Sequence, residues 1–418
     1  MKAIIFLVTL LTLLNSTSLS AQDSVYARKI INELTAEKYH GRGYVKDGDT
    51  KAAKFIAAEF KRLGLLPIKD GKYFQSFNFS VNTFPSCMEV QLNGKILSPG
   101  TQYIIDPSTP SVNGNFDVVT IDKKFVLYSR EEIKGKWILI DTNDTGFQIN
   151  KDDMKAWREN SFGAAGMLFV EGKKLTWSVD QQVGKFPEIN ILKSAISEKI
   201  THVKLDICNN FIPDHLAMNV LGLIPGTQQK DSFIFITAHY DHLGQMGSRT
   251  YFPGANDNAS GVSMLLNLAQ YFNQPENRQP YSFVFIAFAG EEAGLLGSKY
   301  FTEHPLIPLP KIRFLLNLDL LGTGDDGMMV VNATEYPEAF QVMNNLNEKE
   351  HYLSKIGQRG KAANSDHYFF TEAGVPAFFC YTLGGISAYH DVYDRPETLP
   401  LTKYDEVFKI FTAFLKTR

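Results

Sequence analysis

The chain has 418 residues, with 42 Lys and Arg against 45 Asp and Glu and a formal charge of −3 at pH 7. Proteins that grip phosphate backbones carry a basic excess or a clustered basic stripe, so this charge balance gives no electrostatic case for nucleic acid as a partner. With 44% hydrophobic and 21% charged residues, the composition is that of a globular protein, long enough for two or three domains or for one large α/β domain with an insertion.

In chain order, Met1 to Ala21 reads as a secretory signal: a cation at Lys2, an apolar run from Ala3 to Leu14, then small polar residues. That run falls short of the roughly 20 residues that cross a bilayer, and no cysteine follows it. The expectation is an exported protein, periplasmic or secreted, cleaved near Ala21 or Gln22 and not held in a membrane afterwards. Ser24 to Leu34 and Asp49 to Leu63 carry apolar residues at helical spacing, among them Ala53, Ile56, Ala57, Phe60 and Leu63, and Gly64 supplies a stop. Between Phe74 and about Asp206 the pattern changes to short β-type runs such as Trp137 to Ile140 and Met167 to Val170, with one helical piece at Asp152 to Asn160. This stretch reads as a separate β-rich module. From Asn219 onward, apolar strands (Phe233 to Thr237, Phe283 to Phe288, Phe314 to Leu318, Ala377 to Cys380) alternate with helices (Val262 to Phe272, Leu295 to Phe301, Glu338 to Lys349), the pattern of an α/β layered sheet. An amphipathic segment, Tyr404 to Leu415, follows. The three cysteines, Cys87, Cys208 and Cys380, lie far apart without C-x-x-C spacing. They are expected to be buried small hydrophobes, with at most one bridge.

Polar residues cluster where the C-terminal strands end, the edge at which α/β sheets bind ligands. The Phe233 strand runs into His239, Tyr240, Asp241 and His242. An imidazole that ligates metal through one nitrogen is commonly oriented at the other by a carboxylate, and Asp241 is placed for that. Gly254 to Gly261 is an acidic turn opening a helix, with Asp257 inside it. Glu291 and Glu292 follow the Phe283 strand directly, and adjacent acids there need a cation or a proton. Asp319 sits in an apolar run, and a buried acid needs a partner. Tyr389, His390 and Asp391 follow the flexible Gly384 and Gly385. Imidazole and carboxylate without thiolate suit zinc or a similar divalent ion. A two-metal site needs one carboxylate shared between ions about 3.5–4 Å apart, and His239, Asp257, Glu292, Asp319 and His390 supply a set for it. Glu291 is left over as a general base.

The strings AHYDHLG, GANDNASG, FAGEEAGLLGS, NLDLLG, SDHYFF and YHDVYDRPETL resemble, in content and order, those of the co-catalytic di-zinc aminopeptidases of clan MH, over most of residues 219–418. KYHGRGYVKDGDTKAAKFIAAEFKRLGLLP is similar to that family's N-terminal helices. The resemblance implies a mixed central sheet with helices on both faces, formed by residues 22–85 and 211–418. It also implies two Zn2+ held by His239, Asp319, Glu292 and His390 with Asp257 bridging, and Glu291 as general base. Asp241 would orient the first histidine, Tyr389 would help to stabilise the tetrahedral oxyanion, and Asp366 and His367 would be structural. Within residues 86–210, GKWILID and NSFGAAGMLFVEG loosely resemble the protease-associated domain that such peptidases insert before the catalytic strands, where it would shape substrate access or contact protein. The implied reaction is hydrolysis of the N-terminal bond of peptide or protein substrates with free N-termini. The rivals are a dipeptidase or carboxypeptidase of the same fold, a single-zinc glutaminyl cyclase, which the complete ligand set disfavours, and a non-catalytic scaffold, which would have lost ligands or base. Phe369, Phe370, Phe378 and Phe379 could line a specificity pocket, but such runs are more often strand or helix core, and that is the expectation.

Overall fold

The structure, a computed structural model, describes residues 24–121, 130–141, 159 and 163–418. The expected signal at 1–21 and, but for Glu159, the helix expected over 152–160 lie outside the described residues.

Eight strands form the central sheet: β1 (Phe74–Thr83), β2 (Asn210–Ile224), β3 (Gln229–His239), β4 (Tyr281–Phe288), β5 (Ile312–Leu318), β6 (Met328–Val331), β7 (Ile356–Gln358) and β8 (Ala377–Thr382). Their order is β1-β2-β4-β3-β5-β8-β6-β7. The central run β4-β3-β5-β8 is parallel, while β1, β2 and β6 pair antiparallel with their inner neighbours, so the sheet is mixed. Strands covered on both faces read as continuous apolar runs, which is why YSFVFIAF and IRFLLNL are recognisable. Alternate residues of β3 face opposite layers. Ile234 and Ile236 meet helices α1 (Ser24–Leu34), α2 (Gly48–Arg62), α3 (Gly261–Asn273), α5 (Pro337–Glu350) and α7 (Tyr404–Leu415) in one core cluster. Phe235 faces the other, with Phe301 of α4 (Leu296–Glu303) and Phe370 of α6 (His367–Glu372).

Helix α7 has the expected bounds, but β3 begins earlier than its apolar run, because exposed Gln229 is recruited by pairing with Tyr281. Register also aligns the functional ends: His239 lies opposite Phe288, and Leu318 opposite Cys380. The segments after β3, β4, β5 and β8 therefore leave the sheet on one edge.

All eight strands of a second sheet lie between Met88 and Ile207, with a parallel run of Val112–Ile121, Trp137–Asp141, Gly166–Glu171 and Glu188–Leu192. The chain leaves the central sheet through β1 and returns through β2, which pair antiparallel from Phe74↔Val220 to Thr83↔Asn210. Just beyond that ladder, Cys87 and Cys208 form a disulfide, correcting the expectation that the cysteines are unpaired core residues; Cys380 alone is buried and free. The bridge spans 121 residues, and the Thr83↔Asn210 and Met88↔Ile207 pairings on either side of it bring its ends together.

Phe235 is fully buried, with ring centroids 5.8 Å from Phe301 and 6.1 Å from Phe370. Phe235→Ala should cost about 3–5 kcal/mol, as large-to-small core substitutions do. Equilibrium urea unfolding measures this, and a cost under about 1 kcal/mol would contradict the packing.

Candidate metal and catalytic site

Asp257 is the centre of the cluster. It lies in the irregular turn Ala255–Ser260 before α3 and is 3% exposed. Its Oδ1 is 3.3 Å from Nε2 of His239, the last residue of β3, and the same Nε2 is 3.5 Å from Oδ2 of Asp319, which follows β5. Its other oxygen, Oδ2, is 3.0 Å from Nε2 of His390, and that nitrogen is 3.2 Å from Oε2 of Glu292. The structure thus brings His239, Asp257, Glu292, Asp319 and His390 together as two histidine–acid pairs, one on each oxygen of a shared aspartate. Glu291 lines the same cavity, of about 210 Å³.

The electrostatics follow from crowding acids away from water. Burial alone would push the His239 imidazole down, but Glu291, Asp319 and the hydrogen bond to Asp257 outweigh it and hold it well above its ordinary range. His390 likewise rises to about 11, against burial, through Glu292 and Asp257. Asp257 is held well below the usual carboxylate range because hydrogen bonds from the two histidines exceed its burial penalty. Glu291 goes the other way: burial, with Glu292, Asp366 and Asp319 adding to it and His239 opposing, pushes it well up. The acids outnumber the imidazoles, and Oδ1 of buried Asp319 has no hydrogen-bond partner among the described residues. Nitrogen and oxygen donors in this arrangement, with a free carboxylate oxygen, fit a divalent cation such as zinc.

Asp241 acts differently from the expectation. Its backbone carbonyl, 3.2 Å from His239 Nδ1, is the nearer partner; its carboxylate oxygen is 3.8 Å away. The carboxylate instead accepts the backbone N–H groups of Glu291 and Glu292, each at 3.2 Å, and the Tyr44 hydroxyl at 2.6 Å. It therefore fixes the turn that carries Glu291 and Glu292. Sequence reasoning assigned no role to Tyr44, and likewise passed over three further supports. His242 donates Nδ1–H to Glu292 Oε1 at 2.7 Å, while its buried Nε2 has no hydrogen-bond partner among the described residues. Asp394 accepts the N–H groups of Asn256 and Asp257 at 2.8 and 2.9 Å. Arg42 is fully buried, and its guanidinium donates to the carbonyl oxygens of Leu34, Tyr240, Pro253, Gly254 and Asp257. Those acceptors use all five of its N–H bonds, and burial pulls its pKa down to about 10 against the field of Asp257 and Asp394. The close approach depends on Gly43, where a Cβ would lie 2.3 Å from Gly244 Cα. AHYDHLG, YDRP and the HGRGY stretch carried these residues, but nothing local marked them.

The cavity's other wall is Leu320, Asn364, Phe379, Tyr381 and Tyr389. Tyr389 stacks on His390 with centroids 4.0 Å apart, and burial together with Asp257 and Glu292 raises its phenol, keeping it protonated. Of the four phenylalanines expected in the core, Phe370 and Phe378 lie there, Phe369 is partly buried, and Phe379 lines the cavity. His367 packs its ring 5.3 Å from Phe379, and burial takes it down to about 4, so it is a neutral packing group. Asp366 is buried, and desolvation, partly offset by His239, pushes it up to about 7. Its neighbour Ser365 donates to Asp319 Oδ2 at 3.2 Å.

Arg42→Met should strand buried carbonyl groups, each costing about 1–3 kcal/mol, and is expected to lower stability by about 3–5 kcal/mol. Denaturant unfolding measures the loss; parental stability would refute the clamp.

The family model described as peptidase family M28 matches residues 219–415. Aminopeptidase YwaD of Bacillus subtilis is 27% identical over 267 residues, covering 58% of this chain and 52% of that protein, so the chain spans about half the length of that relative. Among solved structures, a zinc aminopeptidase from Bacillus subtilis superposes with a TM-score of 0.72 at 20% identity, covering 95% of each chain. An aminopeptidase from Aneurinibacillus sp. strain AM-1 gives 0.66 at 19%, covering 95% of this chain and 94% of that one. At these identities the superpositions speak for the fold, and the family match speaks for the segment that carries the whole cluster. The match to peptidase family M28 covers residues 219–415, a little under half of the chain, and every residue of the cluster lies inside it.

Proposed function

We propose that the chain is an exported zinc aminopeptidase that removes the N-terminal residue from peptide or protein substrates. The observation that carries this reading is Asp257 placed between two histidine–acid pairs, with Glu291 beside them in the same small cavity. One metal position would be held by His239, Asp257 and Asp319 and the other by Asp257, Glu292 and His390. Zinc bound there would supply Lewis acidity and lower the pKa of a coordinated water.

The chain's own residues supply the rest. Glu291 takes a proton from the attacking water and returns it to the leaving amine. A base works best with its pKa near the operating pH, and the burial and acidic neighbours of Glu291 move it upward in that direction. The Tyr389 hydroxyl, kept protonated, donates to the carbonyl oxygen as charge develops there, the stabilisation an oxyanion hole provides. The surrounding carboxylates attract the substrate's α-ammonium group. A cavity of about 210 Å³ admits one residue, and the walls from Leu320, Phe379 and Tyr381 favour an apolar one.

Export is supported by the signal-like residues 1–21 and by the Cys87–Cys208 disulfide, a bond that persists in oxidising compartments. Among the described residues no helix is long and apolar enough to cross a membrane. We read residues 22–85 and 211–418 as one peptidase domain and 86–210 as an inserted protease-associated-like module.

The test is hydrolysis of aminoacyl chromogenic substrates, free and N-acetylated, with bound metal counted in parallel. Two zinc ions per chain and cleavage of only the free-amine series is the expected result; equal cleavage of the acetylated series would overturn the aminopeptidase reading. Glu291→Gln should keep its metal and lose at least about 100-fold in kcat, the lower end for general acid–base catalysis, whereas His239→Ala and Asp257→Asn should lose metal. Full turnover in Glu291→Gln would remove it as the base.

A further inference from the structure

The inserted module reaches into the site. Between its strands Gly166–Glu171 and Glu188–Leu192 the chain makes an extended excursion, and residues 174–181 of that excursion lie along the two loops that carry His390 and the Glu291–Glu292 pair. Trp177 and His390 are bonded reciprocally: the Trp177 N–H donates to the His390 carbonyl at 2.9 Å, and the Trp177 carbonyl lies 3.0 Å from His390 Nδ1. A backbone carbonyl can only accept, so Nδ1 carries a hydrogen, and in the neutral imidazole that a metal ligand must be, Nε2 is then the nitrogen with the lone pair. Nε2 is the nitrogen that faces Asp257 and Glu292.

Other contacts of the excursion grip the same loops. Lys174 Nζ donates to the Ser387 carbonyl at 2.8 Å and pairs with Asp391 Oδ2 at 3.2 Å, bracketing His390 on both sides. Asp391 in turn accepts the Tyr393 N–H at 2.9 Å. Gln181 Nε2 donates to the Ala293 carbonyl at 2.8 Å, next to Glu292. The grip has work to do, because His390 sits at φ 53°, a left-handed conformation that a residue with a side chain adopts at a cost and keeps only when its surroundings impose it.

Trp177 is itself firmly seated. Its Nε1 donates to the Ile105 carbonyl at 2.9 Å, its ring lies 4.6 Å from that of Phe252, and it is 4% exposed. The module's core cluster runs on through Leu243, next to His242, and Val392, two residues beyond His390.

We propose that this excursion is a working part of the metal centre: it selects the tautomer and orientation of His390 and thereby sets the affinity of the metal position that His390 and Glu292 share with Asp257. Trp177 and Lys174 are positioning residues, and the inserted module completes the site in addition to whatever it does at the surface. The inference rests on the reading of His390 as a ligand.

Zinc affinity, measured on the full chain by competition with a chromogenic chelator, separates the two readings. His390→Ala is the reference and should lose one of two zinc ions; two ions bound at parental affinity would overturn the ligand assignment itself. With that reference in place, Trp177→Ala and Lys174→Met, which loosen the hold on the carbonyl that orients His390, should each weaken one zinc ion by about 10-fold, the low end of what loss of an outer partner of a ligating histidine does, and leave the other ion unchanged. Trp177→Phe, which keeps the apolar anchor and the main-chain pairing, should restore most of the affinity. Should Trp177→Ala fail to fold, Lys174→Met decides, since its side chain is 38% exposed and its loss threatens no core. Parental affinity for both ions in Lys174→Met and in a folded Trp177→Ala would overturn the proposal, as would equal weakening of both ions.

Discussion

One aspartate facing two imidazoles in opposite directions is the constraint on which the site depends. Asp257 can serve both His239 and His390 only if its carboxylate stands between the loops after β3 and β8 with neither oxygen turned away. A buried acid in such a place has no solvent to relax into, so its backbone must be held. Asp394 takes the two N–H groups at and before Asp257, and Arg42 takes the carbonyl of Asp257 together with that of Gly254. The amides of the turn are thus claimed by an acid and its carbonyls by a cation. Both charges are buried, and each partly offsets the other's desolvation through the shared turn, a use of buried charge that contributes geometry more than net stability.

The sheet explains why this geometry is attainable at all. Parallel strands in register place their carboxyl ends on one edge, and the loops leaving that edge converge whatever their sequence separation. Here β3, β4, β5 and β8 end in His239, in the Glu291–Glu292 turn, in Asp319 and in the His390 loop, and α3 starts from the Asp257 turn between them. Asp241 then ties the β3 loop to the β4 loop through two amide hydrogens, and Thr237, Asn317 and Ser365 link β3 and β5 to Asp319. The site is rigid because its side chains and its backbone are braced by different partners.

How much of this is legible in the sequence depends on whether a residue's role is local. Polar residues that interrupt apolar strands announce themselves, so His239, Glu291, Glu292 and Asp319 could be named from pattern alone, and the strands beneath them from their unbroken apolar runs. Arg42 could not, since its partners are carbonyl oxygens from three separate stretches of chain, and a carbonyl has no sequence signature. His242 was visible in the string yet carried no mark distinguishing it from a loop histidine; only the approach of Glu292 gives it a task. The Cys87–Cys208 pairing is hidden for a related reason, because the two cysteines are neighbours only through a ladder between strands far apart in sequence.

The least legible feature is the bond between Trp177 and His390, which lie 213 residues apart and meet through main-chain atoms. Any residue at position 177 could in principle offer the same carbonyl. What makes it tryptophan is the far end of the side chain, anchored on Phe252 and Ile105 so that the backbone cannot drift from the histidine. A second sheet tethered only by the β1–β2 pair and a disulfide at its base would be free to rock against the central sheet. Seated through Trp177, Lys174 and Gln181 on the two loops that carry His390 and Glu292, it cannot rock without moving them. The second sheet is therefore joined to the loops of His390 and Glu292 by hydrogen bonds as well as through the chain, and a substitution inside its core has a route to the cluster that passes through none of the clustered side chains.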